Sequence, residues 1–344
     1  MWHATDRLNV TVGLRYSDEE KNQLLSRLNS GDGGLTASEL CAFKYAVGFG
    51  ACFGAPSPLS SLYEAGGYAP VVTFADDRID YRISIDYRWS DSFMTYVTNS
   101  TGFKSGGVSP RFFYATHILP FGMEELDAYE IGFKSDLFDR RLRLNGALFL
   151  NKYKDQQIGA PGSVCPGLDP PTPCLAIVNG QDSEYRGAEL EATFRPAPAT
   201  LIDFSASWID AKYTRIDPAV LENPNFIRDP DAPPGIPEYK LSLGVQHGFA
   251  LPNGSTLTPR IDYSYEAERK PAVSNAASVP AFGLVNARVT WLSADGEWET
   301  ALGVTNLTDK YYFYNVFDIS TSGAWTAAQP APPREWSFTV RRSF

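Results

Sequence analysis

The clearest pattern along the chain is an alternation of apolar and polar residues with a period of two. Between Ile79 and Trp89 the odd positions are apolar or aromatic, and the even positions carry a charge or a hydroxyl group. Successive side chains of a β-strand point to opposite faces, so this pattern predicts a strand with one apolar and one polar face. The same alternation recurs at 8–16, 142–150, 188–194 and 285–291. With the weaker copies between them, about twelve strands are predicted.

The connections between the predicted strands alternate regularly between short and long. The short ones are rich in turn-forming residues, as at Ser90-Asp91 and 252–255. The long ones lie at about 17–77, 105–125, 156–183, 214–236, 266–280 and 307–333. This alternation places all long connections at one end of an antiparallel sheet. It predicts an all-β fold, an antiparallel up-and-down transmembrane β-barrel with short periplasmic turns and long extracellular loops.

The dimensions of the predicted strands agree with a membrane barrel. Ten residues at about 3.3 Å each, tilted by about 45°, span roughly 23 Å, which is close to the apolar band of such barrels, about 25 Å tall. Aromatic residues such as Tyr16, Trp89 and Trp291 lie near strand ends, where a membrane interface favours amphipathic rings. A soluble protein that buries the same aromatic residues in its core is the alternative.

Composition and charge narrow the possible classes of protein. The chain has 344 residues, of which 43% are hydrophobic and 20% are charged, so it contains enough apolar material to fold. Its formal net charge of −10 argues against a nucleic acid as partner, because nucleic-acid binding relies on neutralising phosphates. No apolar run is long enough for a transmembrane helix, so only strands are expected to cross a membrane.

Several segments carry a family resemblance. They are Gly13-Leu14-Arg15-Tyr16, Tyr129-Glu130-Ile131-Gly132-Phe133-Lys134, Arg186-Gly187-Ala188-Glu189-Leu190-Glu191 and Val304-Thr305-Asn306-Leu307-Thr308-Asp309-Lys310-Tyr311-Tyr312. In this order they resemble the barrel of TonB-dependent outer-membrane receptors. The end of the chain, with Trp336, Phe338, Val340 and Phe344 at even spacing, is similar to the C-terminal strand that the barrel-assembly machinery reads.

The resemblance carries expectations about domain organisation. Members of the family have a barrel of 22 strands that encloses an N-terminal plug domain, preceded by a short energy-coupling box. Nothing in this sequence resembles the plug or the box. Residues 1–344 are therefore expected to form the C-terminal portion of a receptor barrel, as a fragment that lacks both.

The resemblance also implies a function and a location. The whole receptor would bind a scarce nutrient, with an iron-siderophore complex as the leading candidate, and import it when the TonB complex acts through the plug. Cobalamin, haem and glycans are the other nutrients considered. The implied location is the bacterial outer membrane, in contact with its lipid, and no cofactor is expected. A passive pore or adhesin-like barrel is the alternative.

The cysteines and histidines offer little chemistry. Cys41 with Cys52 and Cys165 with Cys174 form two local pairs in predicted extracellular loops, which predicts two loop disulfides; free or metal-binding thiols are the alternative. The three histidines follow no metal-ligand spacing, and the sequence contains no nucleophile elbow, phosphate loop or zinc-protease motif. The chain is therefore predicted not to be an enzyme, with a barrel hydrolase as the less favoured alternative.

Charged residues on the polar face are the remaining candidates for function. The interior of a membrane barrel is polar, so these side chains are predicted to face the lumen. They are Arg82, Arg88, Glu130, Lys134, Arg141, Arg143, Glu189, Glu191 and Arg288, and Asp86, Arg260 and Asp262 are expected on the same face. Two interpretations stay open: a hydrated wall of cross-paired charges, or groups that hold a plug or line a solute path. Aromatic residues of the long loops are further candidates for ligand contact, namely Phe112, Phe113, Tyr114, Phe121, Tyr312, Phe313, Tyr314, Phe317 and Trp325.

Overall fold

A computed structural model describes residues 2–3, 5–24, 71–108, 120–164, 173–218, 233–271, 277–318 and 325–344. Almost all regular structure in these ranges is β-strand. The strands are β1 (Trp2–His3), β2 (Leu8–Leu24), β3 (Val71–Ser90), β4 (Phe93–Lys104), β5 (Gly107–Val108), β6 (Pro120–Phe121), β7 (Glu124–Leu137), β8 (Leu142–Val164), β9 (Pro173–Phe194), β10 (Thr200–Ile216), β11 (Tyr239–His247), β12 (Phe249–Ala250), β13 (Thr256–Glu266), β14 (Phe282–Leu292), β15 (Trp298–Thr305), β16 (Phe313–Asp318), β17 (Thr326–Pro330) and β18 (Glu335–Arg342). These ranges contain no helix long and apolar enough to span a membrane.

One large antiparallel sheet contains most of the strands. Its order is β1-β2-β3-β4-β7-β8-β9-β10-β11-β13-β14-β15-β18, and the two-residue strand β12 also pairs with β13. Apart from the very short β1 and β12, twelve strands follow one another as a meander, which confirms the predicted up-and-down architecture. Two small hairpins, β5–β6 and β16–β17, lie within long connections. Between the described residues of β2 and β18 there is no pairing.

The register of the sheet aligns apolar residues into continuous rows. One row crosses eight strands through Val10, Ile85, Val97, Ile131, Leu148, Ala188, Trp208 and Tyr239. Most of these large side chains are exposed, Leu148 to 59% for example. Such a broad exposed apolar band is expected of a barrel wall that faces lipid.

A row of alternating charge on the same face marks where the apolar band ends. Asp127, Lys152, Glu184 and Lys212 pair in register across β7, β8, β9 and β10. On each strand the charged residue lies four positions from the apolar row, or about 13 Å along the strand. Charged side chains are costly on a lipid-facing surface, so this row lies beyond the apolar core of the bilayer.

The strands continue beyond this row, and here the sequence-based boundaries are wrong. Residues at both ends of the expected connection 17–77 belong to strands β2 and β3. Most residues of the connection expected at 156–183 belong to strands β8 and β9. The connection expected at 307–333 contains the β16–β17 hairpin. The apolar-polar alternation fades where both faces of a strand meet water, although the backbone ladder continues, so the pattern alone could not reveal these extensions.

Several glycines of the sheet lie directly opposite an aromatic ring. Gly132 pairs with Tyr96, Gly146 with Phe133, and Gly187 with Phe149. A Cβ at any of these glycines would come within about 2.6 Å of the partner's ring. The missing side chain lets each ring lie across the neighbouring strand. Gly132 and Gly187 belong to segments that carry the family resemblance, and this contact gives them a physical reason.

Asn306 organises the turn that follows β15. Asn306 is 3% exposed, and its Oδ1 accepts a hydrogen bond from the Lys310 backbone N–H at 2.8 Å. Its Nδ2 donates to the Lys310 carbonyl at 2.9 Å and to the Pro332 carbonyl at 3.4 Å. The backbone of Asn306 has a φ of 50°, a left-handed conformation that asparagine tolerates better than most residues. Hydrogen bonds thus link the Asn-Leu-Thr-Asp turn after β15 to the residues just before β18.

Replacing Asn306 tests this organisation. Asn306→Ala is expected to lower the free energy of unfolding in detergent by about 1–3 kcal/mol, because it removes three part-buried hydrogen bonds to the backbone of Lys310 and Pro332. Asn306→Gly retains the left-handed backbone conformation and should lose less. Asn145→Ala on the polar face, where the side chain makes no hydrogen bond to another described residue, is the control. Equal losses in all three variants would contradict the role assigned to Asn306.

Candidate functional site

The predicted lumen-facing residues lie on the polar face of the sheet or at its edge. Arg82 and Arg88 belong to β3, Glu130 and Lys134 to β7, Arg143 to β8, Glu189 and Glu191 to β9, and Arg288 to β14, while Arg141 lies in the turn before β8. By strand alternation the eight strand residues point away from the exposed apolar rows. Their exposure to a lumen stays a prediction.

These charges do not form a single cluster. Arg143 binds Asp136 at 3.0 Å, Arg288 lies 3.7 Å from Glu299, and the Lys134 ammonium lies 5.9 Å from the centre of the Tyr96 ring. Among the described residues, Glu189 and Glu191 form no ion pair. The polar face therefore combines cross-paired charges with carboxylates that form no ion pair among the described residues, and both interpretations of the sequence stay predictions.

The strongest ion-pair cluster on this face is centred on Arg260. Its guanidinium binds Asp203 through two parallel bonds of 2.9 and 3.0 Å, and it also binds Asp262. Asp203 lies on β10, two strands away from Arg260 on β13, and Gly244 on β11 lies between them. A Cβ at Gly244 would collide with the guanidinium and with Asp203. The prediction omitted Asp203 and Gly244, because pairing across three strands depends on their register.

An aromatic pocket lies on the polar face at the end of the sheet where the long connections join. The rings of Phe149, Tyr153 and Tyr185 line this site, which we call the aromatic pocket. Its volume is about 360 Å³. Asn151, Gln156 and Glu124 add polar groups to its lining. The rings of Tyr153 and Tyr185 meet edge to face, with their centres 5.2 Å apart. A concave surface with rings and a few polar groups is typical of a small-molecule site.

Hydrogen bonds hold the polar part of the aromatic pocket in place. The Gln156 amide donates to the Tyr185 hydroxyl at 3.1 Å, and its carbonyl accepts from the Ser183 hydroxyl at 2.8 Å. Burial raises the pKa of the Tyr153 phenol above its usual range, and the phenol, like any tyrosine at neutral pH, can donate a hydrogen bond. The pocket therefore presents aromatic edges and hydrogen-bonding groups, without a metal site among the described residues.

Gly187 shapes the floor of the aromatic pocket. It lies between Phe149 on β8 and Ile209 on β10, both of which line the pocket. A Cβ at Gly187 would collide with the Trp208 carbonyl oxygen and lie 2.5 Å from the Phe149 ring. The carbonyl belongs to the sheet backbone and has little freedom to move, so only glycine allows both neighbours to keep their positions.

A charged cavity of about 410 Å³ lies mainly on the opposite face of the sheet from the aromatic pocket, since its lining includes Asp127, Lys152 and Glu184 of the charged row. Tyr153 lines both, and the charged cavity is also lined by Arg78, Glu125, Lys152 and Asp182. Arg78 binds Glu125 at 3.0 Å and Asp80 at 3.1 Å. Charges of both signs therefore surround this cavity, and a polar ligand would find donors and acceptors here.

Ion pairs of Arg215 on β10 link the strands that form the wall of the charged cavity. This residue binds Asp182 on β9 through bonds of 2.8 Å and Asp155 on β8 at 2.7 Å. Asp155 has a φ of 51° at an irregularity in the β8–β9 pairing, and its backbone N–H donates to Asp182 at 2.9 Å. The hydrogen bonds from Arg215 lower the pKa of the Asp182 carboxyl group.

Other predicted residues have separate outcomes. Cys41, Cys52 and Cys165 lie outside the described residues, and Cys174 lies in β9 rather than in a loop, so the disulfides stay a prediction. Among the loop aromatics, Phe112, Phe113 and Tyr114 also lie outside, whereas Phe317 and Trp325 meet at the β16–β17 hairpin with ring centres 5.8 Å apart. Trp336, Phe338 and Val340 are exposed on β18, at the edge of the sheet.

The aromatic pocket was not predicted from the sequence. Phe149, Tyr153 and Tyr185 lie in strands and their extensions, whereas the ligand candidates were sought in loops. Their odd positions place Phe149 and Tyr153 on the polar face of β8, opposite Leu148 and Leu150, and an aromatic residue on that face is the signal that could have revealed them.

An antiparallel meander with an apolar outer band and a polar inner face defines a transmembrane β-barrel wall. Residues 1–307 match the family described as TonB dependent receptor-like, beta-barrel. The chain belongs to this family of outer-membrane proteins, which confirms the predicted family, fold class and location.

Individual relatives are distant and longer than this chain. The pesticin receptor of Yersinia pestis is 20% identical over 311 residues, which cover 90% of this chain and 38% of the receptor. The ferric yersiniabactin uptake receptor from Yersinia pestis superposes with a TM-score of 0.72 at 19% identity, covering 100% of this chain and 44% of that one. A copper transporter superposes with a TM-score of 0.69 at 15% identity, covering 100% and 46%. At these identities the structural likeness shows the fold alone.

Gly187→Ala tests the packing at the floor of the aromatic pocket. The added methyl group is expected to lower the free energy of unfolding by about 1–3 kcal/mol, because the Trp208 carbonyl cannot retreat without distorting the sheet. Gly102→Ala is the matched control, since a Cβ there meets nothing within 4 Å. Urea unfolding in detergent should separate the two variants, and equal stability would contradict the close contact.

The Arg215 cluster predicts a local response to acid. The folded pKa of Asp182 lies below its unfolded value near 4, so its stabilising effect is complete above about pH 4 and is lost as the pH falls through the folded pKa. Pepsin cleavage within 177–186 and 210–216, expressed relative to cleavage of an unfolded peptide at the same pH, should therefore increase between pH 5 and pH 2. Arg215→Gln should show faster cleavage already at pH 5 and a weaker pH dependence. Lys212→Gln, which removes the same charge nearby, should behave like the parent chain.

Proposed function

We propose that this chain forms the wall of a receptor that imports an iron-siderophore complex, and that its aromatic pocket contacts the ligand. The observation that carries the proposal is the position of this pocket: it lies on the polar face, at the end of the sheet that the long connections join. A ligand arriving from the extracellular loops would meet this pocket before it reached the middle of the wall.

The family supports energised uptake, and one relative supports the type of cargo. Family membership extends over 1–307, and a protein with the same fold is a ferric yersiniabactin uptake receptor. The copper transporter has nearly the same fold, so the backbone architecture leaves the cargo open. Aromatic rings beside amide and charged groups favour an organic chelate over a bare ion, since a bare ion requires a set of close ligand atoms.

The proposal includes the partners that the family implies. The TonB complex would act through a plug domain, and the lipid-facing band would contact outer-membrane lipid. Trp336, Phe338, Val340 and Phe344 would form the signal for the barrel-assembly machinery. The named relatives are receptors or transporters, which favours transport over catalysis. A passive pore or adhesin-like barrel is the second candidate, because the same wall architecture would also serve an open barrel.

Uptake of radioactive iron chelates tests the proposed function. In iron-starved cells, deleting the reading frame that contains this chain should abolish uptake of at least one ferric chelate, and restoring it should return uptake that a protonophore blocks. A passive pore predicts uptake that the protonophore leaves unchanged, and this result would contradict the proposal.

A variant of the aromatic pocket tests the ligand contact separately. Tyr185→Leu should weaken chelate binding by about 1–2 kcal/mol, or roughly 5- to 30-fold, because it removes a ring contact and the hydrogen bond from Gln156. Tyr129→Leu, on the lipid-facing side, is the matched control and should bind like the parent. If both variants bind equally well while uptake is intact, the pocket assignment is wrong and the transport proposal survives.

A further inference from the structure

The lipid-facing side of β8 changes from apolar to basic at one point. Between Leu142 and Leu150 its outward residues are leucines and one glycine, and the next two outward residues are Lys152 and Lys154. We call these two residues the lysine pair. A strand rises by about 3.3 Å per residue, so Lys152 lies only about 7 Å beyond Leu150 along the strand. The lysine pair therefore begins directly where the apolar band of β8 ends.

The end of the apolar band crosses the sheet obliquely, as tilted strands require. Val10 and Leu148 belong to the same row, but the first outward charge is Asp18 on β2, eight positions beyond Val10, and Lys152 on β8, four positions beyond Leu148. This offset is about 13 Å along the strands over about 19 Å across them, an inclination of about 35°. Strands of membrane barrels are tilted by this amount. Asp18 and Lys152 thus lie at one height, the boundary of the apolar layer.

An aromatic residue marks the same height. Tyr129 on β7 pairs with Leu150 and is 42% exposed on the lipid-facing side. The Lys152 ammonium lies 6.0 Å from the centre of the Tyr129 ring, a cation–π contact. Tyrosine is enriched where the apolar layer of a membrane meets the lipid headgroups. The lysine pair therefore lies at the level of the headgroups on the outer surface of the wall.

The lysine pair lines the charged cavity, but it forms no ion pair with any residue in the described part of the chain. The neighbouring carboxylates have other partners: Glu184 binds Lys212, Asp182 binds Arg215, and Glu125 binds Arg78. Asp127 pairs in register with Lys152, yet the two side chains form no ion pair. Two ammonium groups thus share one cavity while most of its carboxylates are already neutralised.

We propose that the lysine pair binds the phosphate group of a membrane lipid, in the leaflet nearer the long connections. A phosphate offers several strong acceptor oxygens, so one group can accept hydrogen bonds from both ammonium groups. The Asp127 carboxylate can accept a hydrogen bond from a hydroxyl group of the same headgroup. The inference depends on the barrel crossing a membrane and is independent of the cargo.

The apolar residues beside the cavity favour a lipid over a soluble anion. Leu148 and Leu150 continue the outward face of β8 directly below the lysine pair, and Leu148 is 59% exposed. A lipid with its phosphate on the lysines would lay its acyl chains over these leucines and so bury apolar surface. A free phosphate ion would use the lysines alone.

Lipid binding by the full chain in detergent micelles tests the proposal. The probes are lipid A, a glycolipid with two phosphate groups, and the same glycolipid after enzymatic removal of its phosphates. Native mass spectrometry should show preferential retention of the phosphorylated form, and added salt should weaken it. The combined change Lys152→Gln and Lys154→Gln should lower the apparent affinity for lipid A by about tenfold or more, whereas Lys152→Arg and Lys154→Arg together should retain most of it.

The matched control removes the same charge from the polar face of the sheet. Lys104 and Lys240 are exposed there, and changing both to Gln should leave the binding of lipid A intact. Equal loss in the two double variants would overturn the proposal in favour of a general charge effect. Equal retention of the two glycolipids by the parent chain would also overturn it, as would binding of inorganic phosphate that depends on the lysine pair and displaces lipid A. If the double variant fails to fold, Lys152→Gln alone and the parent's preference still decide between these outcomes.

Discussion

The structure depends on one constraint: backbone groups in an apolar surrounding need hydrogen-bond partners, and a meander of paired strands supplies them. Each of the twelve long strands pairs with its neighbours in sequence, so short turns and long connections separate to opposite ends. This separation places the aromatic pocket at the end where the long connections join. The position of the candidate site therefore follows from how the wall is hydrogen bonded.

The pairing register decides which residues lie side by side on each face of the sheet. The same pairing that aligns Ile85, Val97 and Ile131 into an apolar row aligns Asp127, Lys152 and Glu184 into a charged row a short distance further on. A slip by one residue would exchange the two faces of a strand. The apolar band, the charged row and the polar face are thus consequences of a single register, and a membrane boundary can be located from it.

Glycines let long side chains cross from one strand to the next within this register. Gly244 allows Arg260 to reach Asp203, and Gly187 allows the Phe149 ring to form one wall of the aromatic pocket. In both places the space left by glycine is filled by a neighbour's side chain, so these positions tolerate no larger residue. Gly187 belongs to a segment of the family resemblance, so its packing links the sequence resemblance to the site.

The sequence by itself determined the fold class, the number of long strands, the polar and apolar faces and the family, because strand alternation and turn chemistry are local properties. It placed strand ends too early, since β8 and β9 continue where both faces are hydrated and alternation disappears. Only the tertiary structure decided which residues meet across strands. Arg215 joins Asp182 and Asp155 from three strands, and Phe149, Tyr153 and Tyr185 form one pocket, because the pairing register brings together residues far apart in the chain.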